Sequence, residues 1–489
     1  LQLYQTRPES PDSHELEPEG ADLLAVSSLG EMALALNSHS IGPFLRSGTL
    51  ARVPLVGGAP REVLENVEWA DWSPDGTSLA IVRYEQGRHR LEYPTGKVLY
   101  QADGWVGNIR VSPKGNAVAL VDHPIMGDDG GLVAMVDLQG KKTTLSTGWD
   151  SIQGLAWSPA GDEIWFTATR TGGDRSLFAV DLSGKLRLLA RVPGELTLFD
   201  IGHDGKVLLT RGNDRAGLIG LAHGAAKEHD LSWLDWSTPG DLSADGSTML
   251  FSESGEGGGP RYAVFLRKTD GSPAIRLSEG SALALSADGK SAMVRPNTPP
   301  APLLQLPTGV GESKVLFQDS INHLSAGWLP DGKQVVFSGS EPDHGFRFYV
   351  QTVGDSKPRP ISPEGVSTAV VLSPQGNSVA SAGPDGRIYL YPVAGGDPVV
   401  VPGTEAGEVP TGWAADGKSL YVYKFGDVPA KVFLINVTTG DRKPWKQLSP
   451  ADSAGIDTIR GINISSDGTS YVYGYIRNLS DLYLVEGLK

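Results

Sequence analysis

The chain has 489 residues, a formal net charge of −15 at pH 7 and no cysteine. Its length allows sizeable cores, and the lack of cysteine excludes disulfides and thiolate chemistry. The negative charge disfavours nucleic acid, whose phosphates require a basic face, and an anionic membrane surface. No apolar stretch of about 18 residues occurs, so we predict no transmembrane helix and no direct membrane insertion by this chain.

A short phrase recurs along the chain: a few apolar residues, a turn like Ser-Pro-Asp-Gly, and an alternating apolar run. The clearest copies are ADWSPDGTSLAIV from Ala70, LAWSPAGDEIWF from Leu155, DLSADGSTMLF from Asp241, AGWLPDGKQVVF from Ala326 and TGWAADGKSLYVY from Thr411. The turn glycines are Gly30, Gly76, Gly115, Gly161, Gly205, Gly246, Gly289, Gly332, Gly376, Gly417 and Gly468. A period of about 40 to 50 residues with short alternating strands is typical of four-stranded β-propeller blades.

Each Asp-Gly turn between two apolar runs predicts a β-hairpin, because glycine reaches positive φ without steric cost. The recurring turn aspartates could suggest an acid site, but such side chains commonly cap their own turn. We therefore predict turn caps at Asp75, Asp245, Asp331 and Asp467. The tryptophans on the motif strand itself are predicted to be core residues, namely Trp72, Trp157, Trp328 and Trp413.

Eleven turn motifs and a fragment before Gly30 make twelve blade equivalents. Because single propellers usually have about four to eight blades, we predict an all-β fold of tandem β-propellers, most simply two six-bladed rings. The predicted N-terminal propeller is 1–235 and the C-terminal one is 236–489, and five-plus-seven blades remain an alternative. The last blade would contain Asp481–Val485 and be completed by a strand from around Asp230, which removes open sheet edges.

The first blade is predicted to be incomplete at its N-terminus. Leu1–Thr6 resembles the third strand of a blade whose preceding hairpin is missing. We therefore expect the polypeptide to continue upstream of Leu1, where an anchor or a catalytic domain could lie.

A search for catalytic motifs gives a negative result. The sequence has no Gly-x-Ser-x-Gly elbow, no HExxH and no kinase signature, and its nine histidines show no metal-ligand spacing. Asp128 and Asp129 lie in a glycine-flanked loop without calcium-loop spacing, and we interpret them as solvated loop charge. The sequence thus predicts no catalytic residue, no cofactor and no metal, and a chain that is not an enzyme.

Binding is the remaining prediction. In a propeller, the loops that lead into each blade's innermost strand surround one mouth of the central channel. These loops carry aromatic and charged residues, which suit a ligand or peptide site, although the tryptophans could equally pack between blades. The candidate binding face comprises Glu68, Trp69, Trp105, Trp149, Asp150, Trp236, Asp319, His323, Glu408, Asp457 and Arg460.

The WSPDG-type repeats resemble those of TolB-like propellers, also called WD40-like or PD40 repeats. Four longer phrases resemble the propeller region of acidobacterial serine/threonine sensor kinases, and the resemblance covers essentially the whole chain. They are GTLARVPLVGGAPREVLENVEWADWSPDG from Gly48, DLSWLDWSTPGDLSADG from Asp230, LPTGVGESKVL from Leu306 and LSDLYLVEGLK from Leu479. The resemblance implies propellers in the periplasm, joined by one transmembrane helix to a cytoplasmic kinase. This chain lacks the kinase and the helix, so kinase activity is not transferred to it.

The predicted function is that of a non-catalytic periplasmic or otherwise extracytoplasmic binding or sensor module, tethered to the membrane through a missing N-terminal segment. Its expected partner is a protein, a peptide or a small ligand at a propeller face, and no nucleic acid. One alternative is an accessory periplasmic scaffold that contacts membrane protein subunits. A second alternative is a propeller hydrolase or lyase.

Overall fold

The computed structural model describes residues 2–7, 10, 12–42, 44–85, 88–125, 127–171, 174–259, 261–297, 301–342, 344–355, 357–367 and 369–488. Within these residues the chain is all-β. The one helical element there is a 3-10 turn at Glu256–Gly258. The chain divides into two compact units. Unit 1 is Leu1–Asn213 with Ser480–Lys489, and unit 2 is Asp214–Leu479.

Unit 1 contains the first nineteen strands in chain order. They are β1 Leu3–Thr6, β2 Ser13–Leu16, β3 Asp22–Val26, β4 Glu31–Gly42, β5 Leu45–Pro54, β6 Arg61–Trp72, β7 Leu79–Glu85, β8 Arg88–Glu92, β9 Val98–Gln101, β10 Trp105–Val111, β11 Ala117–His123, β12 Gly131–Asp137, β13 Lys142–Trp149, β14 Ser151–Trp157, β15 Glu163–Thr169, β16 Ser176–Asp181, β17 Leu186–Ala190, β18 Glu195–Ile201 and β19 Val207–Gly212.

Unit 2 contains the next twenty-four strands. They are β20 Arg215–Leu221, β21 His229–Asp230, β22 Ser237–Leu242, β23 Thr248–Glu253, β24 Ala263–Lys268, β25 Ile275–Glu279, β26 Ser281–Leu285, β27 Ser291–Arg295, β28 Leu303–Pro307, β29 Lys314–Phe317, β30 Asn322–Trp328, β31 Gln334–Ser340, β32 Arg347–Thr352, β33 Arg359–Pro360, β34 Val371–Leu372, β35 Ser378–Ala382, β36 Ile388–Pro392, β37 Val399–Val400, β38 Glu408–Trp413, β39 Ser419–Lys424, β40 Ala430–Asn436, β41 Arg442–Leu448, β42 Ile456–Ile464 and β43 Tyr471–Arg477. The last strand, β44 Ser480–Val485, belongs to unit 1.

The strands of unit 1 form antiparallel sheets built mostly from consecutive strands. β10–β13 and β14–β17 are four-stranded sheets, and β1–β2 is a separate hairpin. β3–β9 form a continuous seven-stranded sheet because β6 serves two blades: Arg61–Leu64 pairs with β5, and Val67–Trp72 pairs with β7. Asn66, at a φ of 60°, stands between these two stretches.

Unit 2 shows six four-stranded sheets within the described residues. Five are consecutive, β22–β25, β26–β29, β30–β33, β34–β37 and β38–β41, and the sixth has the order β21-β20-β43-β42. The sequence prediction of an all-β fold with four-stranded antiparallel propeller blades is therefore confirmed. The number of blades per ring stays a prediction.

The C-terminal strand is the main difference from the sequence prediction. β44 pairs along its whole length with β19, from Val207↔Val485 to Gly212↔Ser480, and so becomes the third strand of the β18-β19-β44 sheet. Strands near Asp230, β20 and β21, complete the sheet of β42 and β43. The structure accordingly divides after Asn213, whereas the sequence analysis placed the division at 235/236. An alternating strand pattern marks a strand but does not reveal its partner, and this accounts for the difference.

The cores lie between neighbouring sheets. In unit 1, Val121, Ile152 and Phe166 from two adjacent sheets are fully buried in one cluster. Full burial of such a side chain stabilises the fold by about 1.5–3 kcal/mol. The predicted core tryptophans agree with this packing: Trp72, Trp157 and Trp413 are buried and Trp328 is partly buried against a core cluster.

The turn aspartates act as predicted. Asp75 Oδ1 accepts hydrogen bonds from the Ser73 hydroxyl at 2.5 Å and from Thr77 N–H at 3.1 Å. These hydrogen bonds lower the pKa of the Asp75 carboxyl. The same backbone capping occurs at Asp245, Asp331 and Asp467, so these residues hold hairpins.

Two other aspartates of the repeat join the innermost strands of neighbouring sheets. Asp71 Oδ2 accepts Val111 N–H at 2.7 Å, and Asp241 Oδ2 accepts Leu285 N–H at 2.7 Å. Burial raises the pKa of both carboxyl groups to about 6. These hydrogen bonds fix adjacent blades against each other, and with them the loops at the ends of the innermost strands.

Candidate functional site

Five of the predicted residues lie in unit 1: Glu68 and Trp69 on β6, Trp105 at the start of β10, Trp149 at the end of β13, and Asp150 between β13 and β14. Residues of neighbouring strand ends and hairpin loops lie beside them. We call this set the unit 1 loop face. It comprises Glu68, Trp69, Trp105, His123, Asp128, Asp129, Trp149, Asp150, Arg175 and Glu195.

Three aspartates come together where the loop after β11 meets the connection between β13 and β14. Ile152 N–H donates to Asp129 O at 3.0 Å, and a Cβ placed on Gly130 would lie 3.1 Å from Asp150 O. Burial, reinforced by the negative charge of Asp128, raises the pKa of the Asp129 and Asp150 carboxyls. A cationic group placed here would offset this repulsion.

Asp129 is held in one orientation by its neighbours. Its Oδ2 accepts the Ser151 hydroxyl at 2.6 Å and Gln153 Nε2 at 3.1 Å. Buried Arg175 places Nη1 3.9 Å from the same oxygen and pairs through Nη2 with Glu195 at 2.8 Å. The loop face therefore combines an ordered carboxylate with a compensated ion-pair network.

The Asp150 side chain is the accessible member of the three aspartates. It is exposed, and within the described residues its carboxylate receives no hydrogen bond. The Arg170 guanidinium lies 4.3 Å from the centre of the Trp149 ring and exerts an attractive charge on Asp150. Trp149 itself is buried against Phe166 and Phe178, so it packs the core and supports this corner of the face.

Trp105 and His123 form a stacked pair at the start of β10 and the end of β11. The ring centres are 3.6 Å apart and the planes differ by 7°. Trp105 Nε1 donates to Asp128 O at 3.1 Å, which links the stack to the loop of the aspartates. His123 Nδ1 donates to Gly130 O at 3.1 Å, and burial lowers the pKa of His123 to about 4. His123 is therefore neutral at pH 7, with its proton on Nδ1.

Glu68 and Trp69 lie on β6 beside this pair. Glu68 Oε2 accepts His89 Nδ1 at 2.8 Å, with both side chains buried, so Glu68 belongs to an enclosed pair. Trp69 Nε1 and His123 Nε2 would each lie 3.6 Å from a Cβ on Gly107. The small residue at position 107 thus allows the indole and the imidazole to approach the same point.

Unit 2 places Trp236, Asp319 and His323 in mainly structural roles. Trp236 N–H donates to Glu253 Oε2 at 3.3 Å. His323 is fully buried, its Nδ1 donates to Ala301 O at 2.8 Å, and its Nε2 lies 3.7 Å from Asp319 Oδ1. Burial lowers the pKa of His323. These contacts hold β30 against the segment that contains Ala301, inside the protein.

The other three predicted residues of unit 2 differ in their surroundings. Glu408 is buried and forms an ion pair with Arg442 at 2.7 Å. Asp457 is exposed at the start of β42. Arg460 lies further along β42, half-buried, with a hydrogen bond from Nη2 to Thr238 Oγ1 at 3.4 Å.

The sequence analysis missed Asp128, Asp129, His123, His89 and Arg175. Asp128 and Asp129 were interpreted as solvated charge, whereas Asp129 is largely enclosed and lies beside Asp150. A usable signal existed: in a four-stranded antiparallel blade, the loop between the second and third strands lies at the same end as the loop that enters the first strand. Residues of both loop sets should therefore have been considered together.

Among the described residues, no group of three or more histidine and acidic side chains is arranged to hold a metal ion. No helix in the described part of the chain is long and apolar enough to span a membrane.

Comparison with known proteins gives matches among solved structures only. No protein-family model and no curated protein matches the chain. TolB from Acinetobacter baumannii is 12% identical over 91% of this chain and 80% of TolB, with a TM-score of 0.27. An oligogalacturonate lyase in complex with manganese is 14% identical over 57% of this chain and 77% of the lyase, with a TM-score of 0.34. A prolyl endopeptidase is 14% identical over 76% of this chain and 54% of the peptidase, with a TM-score of 0.32.

One prediction of the sequence analysis requires correction. The sequence analysis concluded from missing motifs that the chain is not an enzyme. Enzymes are among the structures that match it, including a lyase and a peptidase. The absence of kinase, hydrolase and metal motifs therefore does not exclude catalysis by this chain, and that prediction is wrong.

The His123 tautomer is open to direct measurement. We expect long-range ¹H–¹⁵N NMR spectra of histidine-labelled protein to show neutral His123 protonated at Nδ1 from pH 5 to 8, with charging only near pH 4. Because the pKa of His123 in the folded state lies below its usual value, neutral His123 contributes fully to the free energy of unfolding above about pH 6.5. This contribution is lost as the pH falls toward 4. His123→Gln identifies the signal, and titration near pH 6.5 would contradict the buried stack.

Proposed function

We propose that the chain is an extracytoplasmic recognition module whose unit 1 loop face binds a ligand carrying a cationic group, such as a basic peptide. The observation that carries the proposal is the convergence of Asp128, Asp129 and Asp150, with the pKa raised at the last two. Carboxylates whose ionisation is opposed by burial and by a neighbouring negative charge gain most from a cation that replaces lost solvation.

The neighbouring groups support a recognition role. Arg175, Ser151 and Gln153 hold Asp129, so binding would require little ordering of that side chain. Asp150 is exposed beside them and accessible to a partner. The chain's net charge of −15 would also speed the approach of a cationic partner at low salt.

The sensor role extends the same proposal. Four long phrases resemble the propeller region of acidobacterial sensor kinases, and this supports a module that reports ligand binding to an upstream kinase across the membrane. The gene sequence upstream of Leu1 tests this part. We expect a kinase domain followed by one apolar segment, and a complete signal peptide there would rule the receptor-kinase role out.

The cation specificity can be tested with short labelled peptides. We expect tetralysine to bind the full chain more tightly than a neutral Gly-Ser peptide of equal length, and tetraglutamate not to bind, in fluorescence anisotropy at low salt. Asp150→Asn should weaken tetralysine binding by about three- to tenfold, since it removes an accessible carboxylate. As the pH falls, protonation of Asp150 should weaken tetralysine binding. Because the pKa of Asp150 is raised, this loss should begin at a higher pH than it would for an ordinary aspartate.

Glu65→Gln is the matched control, because it removes one charge from an exposed position of unit 1 outside the loop face. Tetralysine binding should be unchanged in this variant apart from the small effect of net charge. Equal weakening by Asp150→Asn and Glu65→Gln would show that the peptide senses only overall charge and would defeat the proposed site.

A further inference from the structure

Arg460 occupies an unusual position on the innermost strand of a unit 2 sheet. β42 is the end strand of the β21-β20-β43-β42 sheet, and its neighbour across the sheet boundary is β22, the end strand of the next sheet. The hydrogen bond from Arg460 Nη2 to Thr238 Oγ1 joins these two innermost strands at 3.4 Å. The guanidinium therefore lies at the boundary between these two strands.

Within the described residues Arg460 lacks a carboxylate partner, unlike Arg442 and Arg477 of the same unit. Arg442 pairs with Glu408 at 2.7 Å and Arg477 pairs with Asp452 at 2.9 Å. Among the described residues, no acidic group lies within 4.0 Å of the Arg460 guanidinium. Burial lowers the pKa of Arg460, because the charged guanidinium loses solvation and no described carboxylate compensates for it.

The guanidinium donors of Arg460 remain available. Among the described residues Arg460 makes a single, long side-chain hydrogen bond, although the group carries five N–H donors. Its Nε and Nη1 are not fully buried, so both retain contact with solvent. A half-buried arginine with accessible, unused donors is suited to bind an anion.

The Tyr423 phenol lies within electrostatic range of the Arg460 guanidinium. The positive charge of Arg460 favours the ionised phenol, but burial outweighs it and raises the pKa of Tyr423 to about 12. The phenol is therefore protonated at pH 7 and can donate. Within the described residues its hydroxyl has no protein partner, and it is not enclosed. Tyr423 thus offers a protonated hydroxyl within electrostatic range of the Arg460 guanidinium.

We propose that unit 2 binds a small oxyanion, a carboxylate or phosphate group, through the guanidinium of Arg460, with the hydroxyl of Tyr423 as a second donor. Carboxylates and phosphates accept hydrogen bonds in the plane in which a guanidinium donates them, and a neutral phenol adds a third donor. Thr238 Oγ1 holds the guanidinium from the other side. The site lies in unit 2 and does not depend on the cation site proposed for unit 1.

Inorganic phosphate and acetate are the probes for this site. Thermal unfolding of the full chain is followed as either anion is titrated at constant ionic strength with chloride as the balancing anion. We expect a saturable rise of the unfolding temperature, because a ligand that binds the folded state stabilises it by mass action. The anion with the lower half-saturation concentration identifies which headgroup the site prefers.

Arg460→Gln should raise the half-saturation concentration at least about tenfold, since a hydrogen bond to a charged group contributes about 1.5–3 kcal/mol. Arg387→Gln is the control, because Arg387 is half exposed in unit 2 and pairs with Asp385. Its anion response should match that of the unmodified chain.

Two more conservative variants keep the proposal testable if Arg460→Gln does not fold. Arg460→Lys keeps the charge but loses the fork of donors, and Tyr423→Phe removes only the hydroxyl, so each should weaken binding by a smaller factor. The proposal is overturned if both variants respond like the unmodified chain, or if chloride alone produces the same stabilisation.

Discussion

The pairing of β44 with β19 is the constraint on which unit 1 depends. Most sheets of the molecule are consecutive hairpins, which form from local sequence. The β18-β19-β44 sheet instead needs a strand that follows β19 by more than 260 residues, and its register spans six residue pairs. The edge of β19 would otherwise expose unpaired backbone groups. The β18-β19-β44 sheet thus forms only when β44 has joined β19.

The scaffold and the candidate sites use different residues of the repeat. Asp75 and its equivalents cap hairpins, and Asp71 and Asp241 tie neighbouring innermost strands together. These repeated residues satisfy backbone groups and leave little for a ligand. The charged residues that do not repeat, Asp150 in unit 1 and Arg460 in unit 2, remain exposed or incompletely paired. We therefore assign ligand recognition to these non-repeating residues, which the repeated residues hold in place by fixing the hairpins and strands.

The sequence correctly predicted the elements whose structure depends on residues close together in the chain. The Asp-Gly turns predicted the hairpins, because glycine and a capping aspartate determine a turn within a few residues. The same reasoning could not assign a partner to β44, because any open edge accepts an alternating strand. It selected Asp150 and Arg460 but missed Asp129, since a loop sequence does not reveal which other loop it faces. Whether a charge is paired is likewise a property of the fold.

The most direct test is a disulfide cross-link between β19 and β44 in this cysteine-free chain. Thr210 and Leu482 are register partners, and antiparallel partners have Cα atoms about 4.5–5.5 Å apart, within the range of a disulfide. The variant Thr210→Cys with Leu482→Cys should oxidise to an intramolecular cross-link, whereas Thr210→Cys with Leu484→Cys, shifted by two residues, should not. Cross-linking of the shifted pair alone, or of neither pair, would contradict the pairing of β44 with β19.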